Sequence, residues 1–342
     1  MKMKILITGG LGFIGSHTIV ELMQAGYEPI IIDDLSNSEP FMLDNIQKIT
    51  GQKPKCYLYD ACDKDRVRNV FAENTDIKAV IHFAAKKAVG ESMKQPLAYY
   101  RTNLVSLLTV LDLMQEFKVG NIVFASSATV YGEPEKLPVT EEMPLQKSLS
   151  SYGSTKQMAE DILEKTTANH WLKAILLRFF NPVGAHHTAL LGELPNGVPN
   201  NLMPYVTQTA SGIRKELTIN GNDYSTPDGT CVRDYIHVVD LAKAHVKAID
   251  RLLKTAETPV CEVFNIGTGA GISVLEMVET FEKVNNIKIP YRVGPRRAGD
   301  AESIYASCEK ANKILGWKAE LSLADMVRDS WNWEKYLKDR KE

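Results

Sequence analysis

Cysteine is scarce in this chain and forms no pattern. Cys56, Cys62, Cys231, Cys261 and Cys308 include no C-x-x-C pair, and an odd count speaks against a disulfide framework. A reducing cytoplasm is the expected setting. No apolar run approaches the roughly 20 residues that a membrane span needs. Met1-Lys2-Met3-Lys4 leads into a strand-like segment rather than a signal-peptide core. Neither charge is in excess: the formal net charge of -2 gives no general attraction for nucleic acid or an anionic membrane, so a small-molecule partner is expected. Metal ligands are also missing. His186 and His187 are adjacent, a poor arrangement for chelating one ion, and no carboxylate or cysteine completes a set, so no metal is expected. The other histidines read as isolated core or surface residues, and Glu141-Glu142, in a Pro-bounded loop, as solvated.

What is present is α/β texture. The 342 residues suit a large α/β domain with a smaller companion. The run Lys4 to Thr8 ends at Gly9-Gly10, Phe13 to Ala25 has helical spacing closed by Gly26, and Pro29 to Ile32 resumes as a strand. That is a βαβ unit. Further apolar runs at Cys56 to Tyr59, Ala79 to Phe83, Asn121 to Ala125 and Ala174 to Leu177 alternate with helical stretches, which predicts a doubly wound parallel (Rossmann) sheet. From Asn181-Pro182 to about Tyr235, Pro, Gly and Asn clusters predict mostly loops, in the place where a substrate-binding cap belongs. Val263 to Ile266 reads as a strand returning to the sheet, and Glu309 to Leu315 and Leu323 to Leu337 as helices. The expected division is a dinucleotide-binding domain over 1–181, rejoined by parts of 236–270, and a smaller mixed substrate domain over 182–342.

The glycines after the first strand have separate tasks. Gly9 allows a tight turn, Gly12 lets backbone approach a pyrophosphate, and Gly15 lets the helix pack against the strand. About twenty residues on, Asp33 and Asp34 can accept from the adenosine ribose hydroxyls and would repel a ribose phosphate, which favours NAD over NADP. Asp60 is placed to reach the adenine edge, and Lys87, beyond the fourth strand, to reach the pyrophosphate.

An acid–base group follows. Tyr152-x-x-x-Lys156 is the only such pair in the chain, downstream of a predicted strand ending in Ser126-Ser127. Tyrosine is a weak base at neutral pH because its reference pKa is near 10. Lys156, one helical turn on, and a nicotinamide cation would stabilise the phenolate. Tyr152 can then remove a proton from a substrate alcohol whose carbon is oxidised. Ser127 is placed to hold the same oxygen; Ser126 and Thr129 have a weaker claim.

Gly9-x-x-Gly12-x-x-Gly15, Ser126 to Gly132, Tyr152-x-x-x-Lys156 and Arg178-Phe179-Phe180-Asn181-Pro182 together resemble the extended short-chain dehydrogenase/reductase family. Gly221 to Tyr224, Asp228 to Val238, Asn200 to Pro204 and Arg296-Arg297-x-Gly299-Asp300 are similar to its UDP-glucose 4-epimerases. The resemblance spans nearly the whole chain. It implies reversible 4-epimerisation of a UDP-hexose (UDP-galactose/UDP-glucose) through a transient 4-ketose, bound NAD that is not consumed, and a homodimer. It also implies cofactor contacts at Phe13, Ile14, Asn37, Ser38 and Ala61, then at Phe83, Ala84, Ala85 and Asn103, with Phe180 lining the nicotinamide. For the nucleotide sugar it implies Asn181, Asn200, Asn201 and Leu202, backbone at Thr218, Ile219 and Asn220, Arg233 and Arg297 on the diphosphate, and Asp300 on the uridine ribose. Two positions depart from the pattern. Thr102 stands where the family has a second Asn before Asn103, and Ile304 is intermediate in size where a small residue admits an N-acetyl group, so acetylated sugars stay open.

Other functions share this fold, and a sugar-nucleotide reductase is disfavoured because no feature selects NADPH. A nucleotide-sugar 4,6-dehydratase would need adjacent acidic residues after the strand-end hydroxyl, where this chain has Ala128 and Thr129. A nicotinamide-sensing regulator of the same fold would not need the Tyr–Lys pair.

Overall fold

The computed structural model describes residues 2–254, 260–297 and 301–341. Strand β1 (Lys4–Thr8) leads through the glycine turn into α1 (Phe13–Gln24), followed by β2 (Glu28–Ile32), α2 (Phe41–Thr50), β3 (Lys55–Tyr57), α3 (Lys64–Glu73) and β4 (Ile77–His82). Next come α4 (Val89–Lys94), α5 (Pro96–Glu116), β5 (Asn121–Ser127), α6 (Ser151–Thr167) and β6 (Lys173–Phe179). The next segment holds β7 (Asn181–Val183), α7 (Leu202–Ala210), β8 (Leu217–Asn220), β9 (Val232–Arg233) and β10 (Tyr235–His237). After α8 (Val238–Lys254) follow β11 (Cys261–Ile266), β12 (Ile272–Ser273), α9 (Val274–Asn285), β13 (Tyr291–Gly294), β14 (Ser303–Ile304) and α10 (Leu323–Lys341).

Seven parallel strands form the central sheet in the order β11-β6-β5-β4-β1-β2-β3. The strand order reverses between β1 and β4, and such a switch point opens a ligand crevice at the carboxyl ends of the strands. The inner strands are mostly apolar because helices cover both faces. Ile5, Ile7, Ile31 and Val123 pack against α1, α2 and α8, whereas Leu6, Val80, Ile122 and Leu176 point to α3, α5 and α6.

A third cluster, built on Met203, Val206, Ile219, Phe281 and Val327, makes the core of the smaller C-terminal part. The predicted loop region from 181 to 235 thus contains α7 and short strands, one of which, β8, pairs in parallel with β13. Those strands are too short to show periodicity. The segment Glu309 to Leu315 ends in a π-helical turn over Ala311–Leu315.

Candidate active site

The glycine turn is shaped by close packing. A Cβ on Gly9 would stand 2.9 Å from the Ala84 nitrogen and one on Gly15 2.3 Å from the Gly9 carbonyl, so neither position accepts a side chain. Gly12 differs: the Gly9 carbonyl at 3.3 Å is the one atom within 4 Å, leaving its outward side clear. Gly12 also begins α1, whose first turn carries no acidic residue and no side-chain cap, so its amides point their partial positive charge into the crevice. A dinucleotide pyrophosphate fits this geometry. Phe13 is buried and Ile14 half-buried in the same turn.

Asp33 closes the far side. Its carboxylate accepts from Leu11 N at 2.8 Å, Leu35 N at 3.0 Å and Ser38 Oγ at 2.6 Å, which fixes it at the end of β2 beside the glycine turn. Ser38 is therefore a buried support for Asp33, while Asp34 and Asn37 are exposed next to it. Asp60 is exposed and accepts from Cys62 N at 2.8 Å, with Ala61 buried beside it. Phe83, Ala84 and Ala85 are half-buried beyond β4. Lys87 is exposed and paired with Glu193 at 2.9 Å; Glu193 also accepts from Asn201 Nδ2 at 2.7 Å, so a cofactor-side loop meets the start of α7.

Tyr152 and Lys156 are both buried, one turn apart on α6. The helix starts at Ser150, whose Oγ accepts from Gly153 N at 3.0 Å. Lys156 Nζ donates to the Ala125 carbonyl at 2.6 Å and lies 4.6 Å from the centre of the Phe124 ring. Burial lowers its pKa to about 8, against the pull of Glu160. Burial likewise pushes the Tyr152 phenol up to about 12, opposed by its hydrogen bond with Ser127. Burial thus raises the phenol in the chain by itself, with Ser127 as the group that lowers it. A nicotinamide cation beside the phenol would act against that desolvation.

Ser127 Oγ accepts from Thr129 N at 3.2 Å and Thr129 Oγ1 at 3.0 Å, which turns it toward the phenol. Ser126 points to the other side of the strand and donates to Glu160, which removes its claim on substrate oxygen. Asn103 is buried with its amide spent on protein: Nδ2 donates to the Lys86 carbonyl and Thr155 Oγ1, and Oδ1 accepts from Lys86 N at 2.8 Å.

The nucleotide-sugar candidates gather around the short strands. Asn181 on β7 is exposed, and its backbone N–H donates to the Asp234 carbonyl at 2.9 Å. Arg233 lies on β9 beside β14, with Nη1 donating to the Val232 carbonyl at 2.8 Å. Phe180 and Ile304 are buried in one cluster with Ala128, Val130 and Tyr131. Asn200 and Asn201 are exposed before Leu202 opens α7. Thr218, Ile219 and Asn220 form β8, and Arg297 is exposed at the end of the segment that follows β13. Arg296 instead binds the Asp223 carboxylate at 2.7 Å and lies over the Tyr224 ring. Asp300 lies outside the described residues.

Several residues that build the site have no role assigned by the motifs, although Asp234 and Arg178 lie within motif segments. Asp234 is fully buried and accepts from Thr268 N, Thr268 Oγ1, Gly269 N and Ala306 N, tying the 267–269 turn and the end of β14 to the neighbour of Arg233. Glu160 and Arg178 form a buried ion pair at 2.7 Å behind Lys156. The available signal was charge on an otherwise apolar face: Glu160 continues the Tyr152, Lys156 row, and Arg178 interrupts a buried strand. Two other readings are corrected. Glu141 is not merely solvated, since it accepts from Asn265 N at 2.7 Å and burial raises its pKa. Of the other histidines, His17 is not isolated, since its ring centre lies 6.4 Å from that of His186. Among the described residues no group of three or more His, Cys, Asp or Glu could hold a metal.

Residues 6–330 match the family model described as GDP-mannose 4,6 dehydratase. The chain is 51% identical to the UDP-glucose 4-epimerase of Bacillus subtilis (strain 168) over 334 residues, 97% of each chain. The UDP-glucose 4-epimerase of Bifidobacterium longum, solved in complex with NAD+ and UDP, superposes with a TM-score of 0.94 at 49% identity, covering 98% of both chains. That of Stenotrophomonas maltophila, solved with NAD and formylated UDP-arabinopyranose, gives 0.95 at 44% identity over 99% of each chain.

The chain belongs to the UDP-glucose 4-epimerase family. Within the wider group that also holds the dehydratases, an epimerase requires one oxidisable sugar carbon and no additional acid and base for expelling water. The Ser127-Ala128-Thr129 segment meets that description, because no carboxylate stands beside the strand-end hydroxyl.

Proposed function

We propose that the chain is an NAD-dependent UDP-glucose 4-epimerase, interconverting UDP-galactose and UDP-glucose through a 4-ketose. The observation that carries the reading is the buried Tyr152–Lys156–Ser127 group at the end of β5, tied through Thr155 and Asn103 to the loop that meets the glycine turn. NAD, when bound in the crevice, supplies the two-electron acceptor for sugar C4 and afterwards the donor that restores it. Tyr152 takes the O4 proton as C4 is oxidised and returns it on reduction from the other face. Lys156 stabilises the phenolate, and Ser127 holds O4 while its C–O bond changes order.

Arg233 and Arg297 fit the diphosphate as guanidinium forks, with Asn181, Asn200, Asn201 and Leu202 along the sugar and Thr218 to Asn220 at the uracil. A firm hold on the unreacting UDP leaves the ketose free to turn. Gly12, Asp33 and the Phe83 to Ala85 loop would hold the cofactor, and Lys87 would bind its pyrophosphate in place of Glu193.

The functional unit in this reading is a homodimer. Leu97, Val105 and Leu108 present an exposed apolar row on α5, with Met93 on α4 and Met158 on α6. No helix among the described residues is long and apolar enough to cross a membrane. The free state of all five cysteines supports a reducing, cytoplasmic setting.

The test is to incubate purified protein with UDP-galactose and no added reductant. Conversion to an equilibrium mixture with UDP-glucose, without net change in NAD redox state, is expected. An enzyme that leaves UDP-galactose unchanged contradicts the reading.

A further inference from the structure

Behind the catalytic pair lies a charge cluster that the chemistry above does not use. Glu160 follows Lys156 by four residues on α6, so their side chains share a helix face. Glu160 Oε1 accepts from Ser126 Oγ and from Arg178 Nε at 3.0 Å, and Oε2 accepts from Arg178 Nη2 at 2.7 Å. Arg178 Nη1 donates to Tyr131 Oη at 3.1 Å, whose hydroxyl donates to Asn265 Oδ1 at 2.6 Å. Three successive residues at the end of β5 are thus held separately: Ala125 by Lys156, Ser126 by Glu160 and Ser127 by Thr129. A buried ion pair is a weak source of stability, because apolar replacements are often neutral or better. Its place under the reacting groups suggests another task.

We infer that Glu160 is a positioning residue for the epimerase reaction: through Ser126 it fixes Ser127 against Tyr152, and through its charge it keeps Lys156 protonated. This rests on the function proposed above. The groups facing Lys156 support the second part. From β5 come the Phe124 ring and the Ala125 carbonyl; from β4 comes His82, kept neutral by burial with a pKa of about 3. Tyr152, on the same helix, is protonated, Tyr99 of α5 beyond it is raised further by burial, and Arg178 of β6 is a cation engaged by Glu160. Glu160 is the carboxylate that favours the ammonium form.

Glu160→Gln keeps shape and an acceptor for Ser126 while removing the charge. We expect the alkaline limb of kcat, and the titration of the Lys156 side-chain NMR resonance in isotopically labelled protein, to move down by about one pH unit. A residue with only a structural role would lower kcat and move neither. Ser126→Ala leaves every charge in place and should lower kcat about tenfold, with the limb and the KM for UDP-galactose unmoved. A Lys156 resonance that titrates as in the wild type, or full kcat in Ser126→Ala, overturns the inference. Should Glu160→Gln fail to fold, Ser126→Ala decides alone. The NMR titration needs no turnover, so it still decides the charge effect if the wild-type protein proves inactive and the proposed function falls.

Discussion

Asn103 on α5 donates to Thr155 Oγ1 on α6 at 3.0 Å, and the same amide holds both backbone groups of Lys86. One side chain thereby sets the distance between the cofactor loop and the catalytic helix. Asn103→Ala should leave Lys86 N without an acceptor and lower stability by about 1–3 kcal/mol. Loss of alignment should lower kcat about tenfold or more. Urea denaturation and steady-state rates on the same preparation check both effects.

Asp234 stands next to Arg233, and four donors converge on its carboxylate. Burial nevertheless holds its carboxyl above the usual range. Asp234→Asn turns one acceptor oxygen into an NH2 group facing N–H donors, which costs about 1–3 kcal/mol. Because β9 and β14 lose their common anchor, the KM for UDP-galactose should rise about tenfold, with kcat changed less. Equal loss in kcat and unchanged KM would mean that Asp234 serves the chemical step instead.

The buried lysine gives stability a defined pH dependence. Lys156 has its pKa lowered from 10.5 to about 8 in the folded chain, so between those values the unfolded chain holds a proton that the folded chain has released. Stability contributed by this residue therefore rises with pH across the window. Lys156→Met lacks the titration. Its stability advantage over the wild type should shrink by about 3 kcal/mol from below pH 8 to pH 10.5. Denaturant titrations at several pH values read the difference directly, and a constant or widening gap would contradict the assigned shift.

The sheet was legible in the sequence because its strands are apolar runs between glycine turns and helical spacing, from Lys4–Thr8 through Cys261–Ile266. The glycine turn, Asp33 and the Tyr152–Lys156 pair were legible because each needs a particular residue at fixed spacing. The ties of Asn103, Asp234 and Glu160 were not, since they join residues far apart in sequence and a polar residue looks alike on a surface and in a core. The sign of the Tyr152 shift was also beyond sequence: spacing reveals a neighbouring cation, but desolvation depends on the packing around the phenol.

Turnover depends most on the Tyr152 hydroxyl. Tyr152→Phe removes the proton acceptor while leaving a ring of the same shape in place. The epimerisation rate of this variant should fall by about 10²-fold or more, with UDP affinity by calorimetry unchanged. A variant that binds UDP normally and turns over UDP-galactose at near the wild-type rate would show that another group moves the O4 proton.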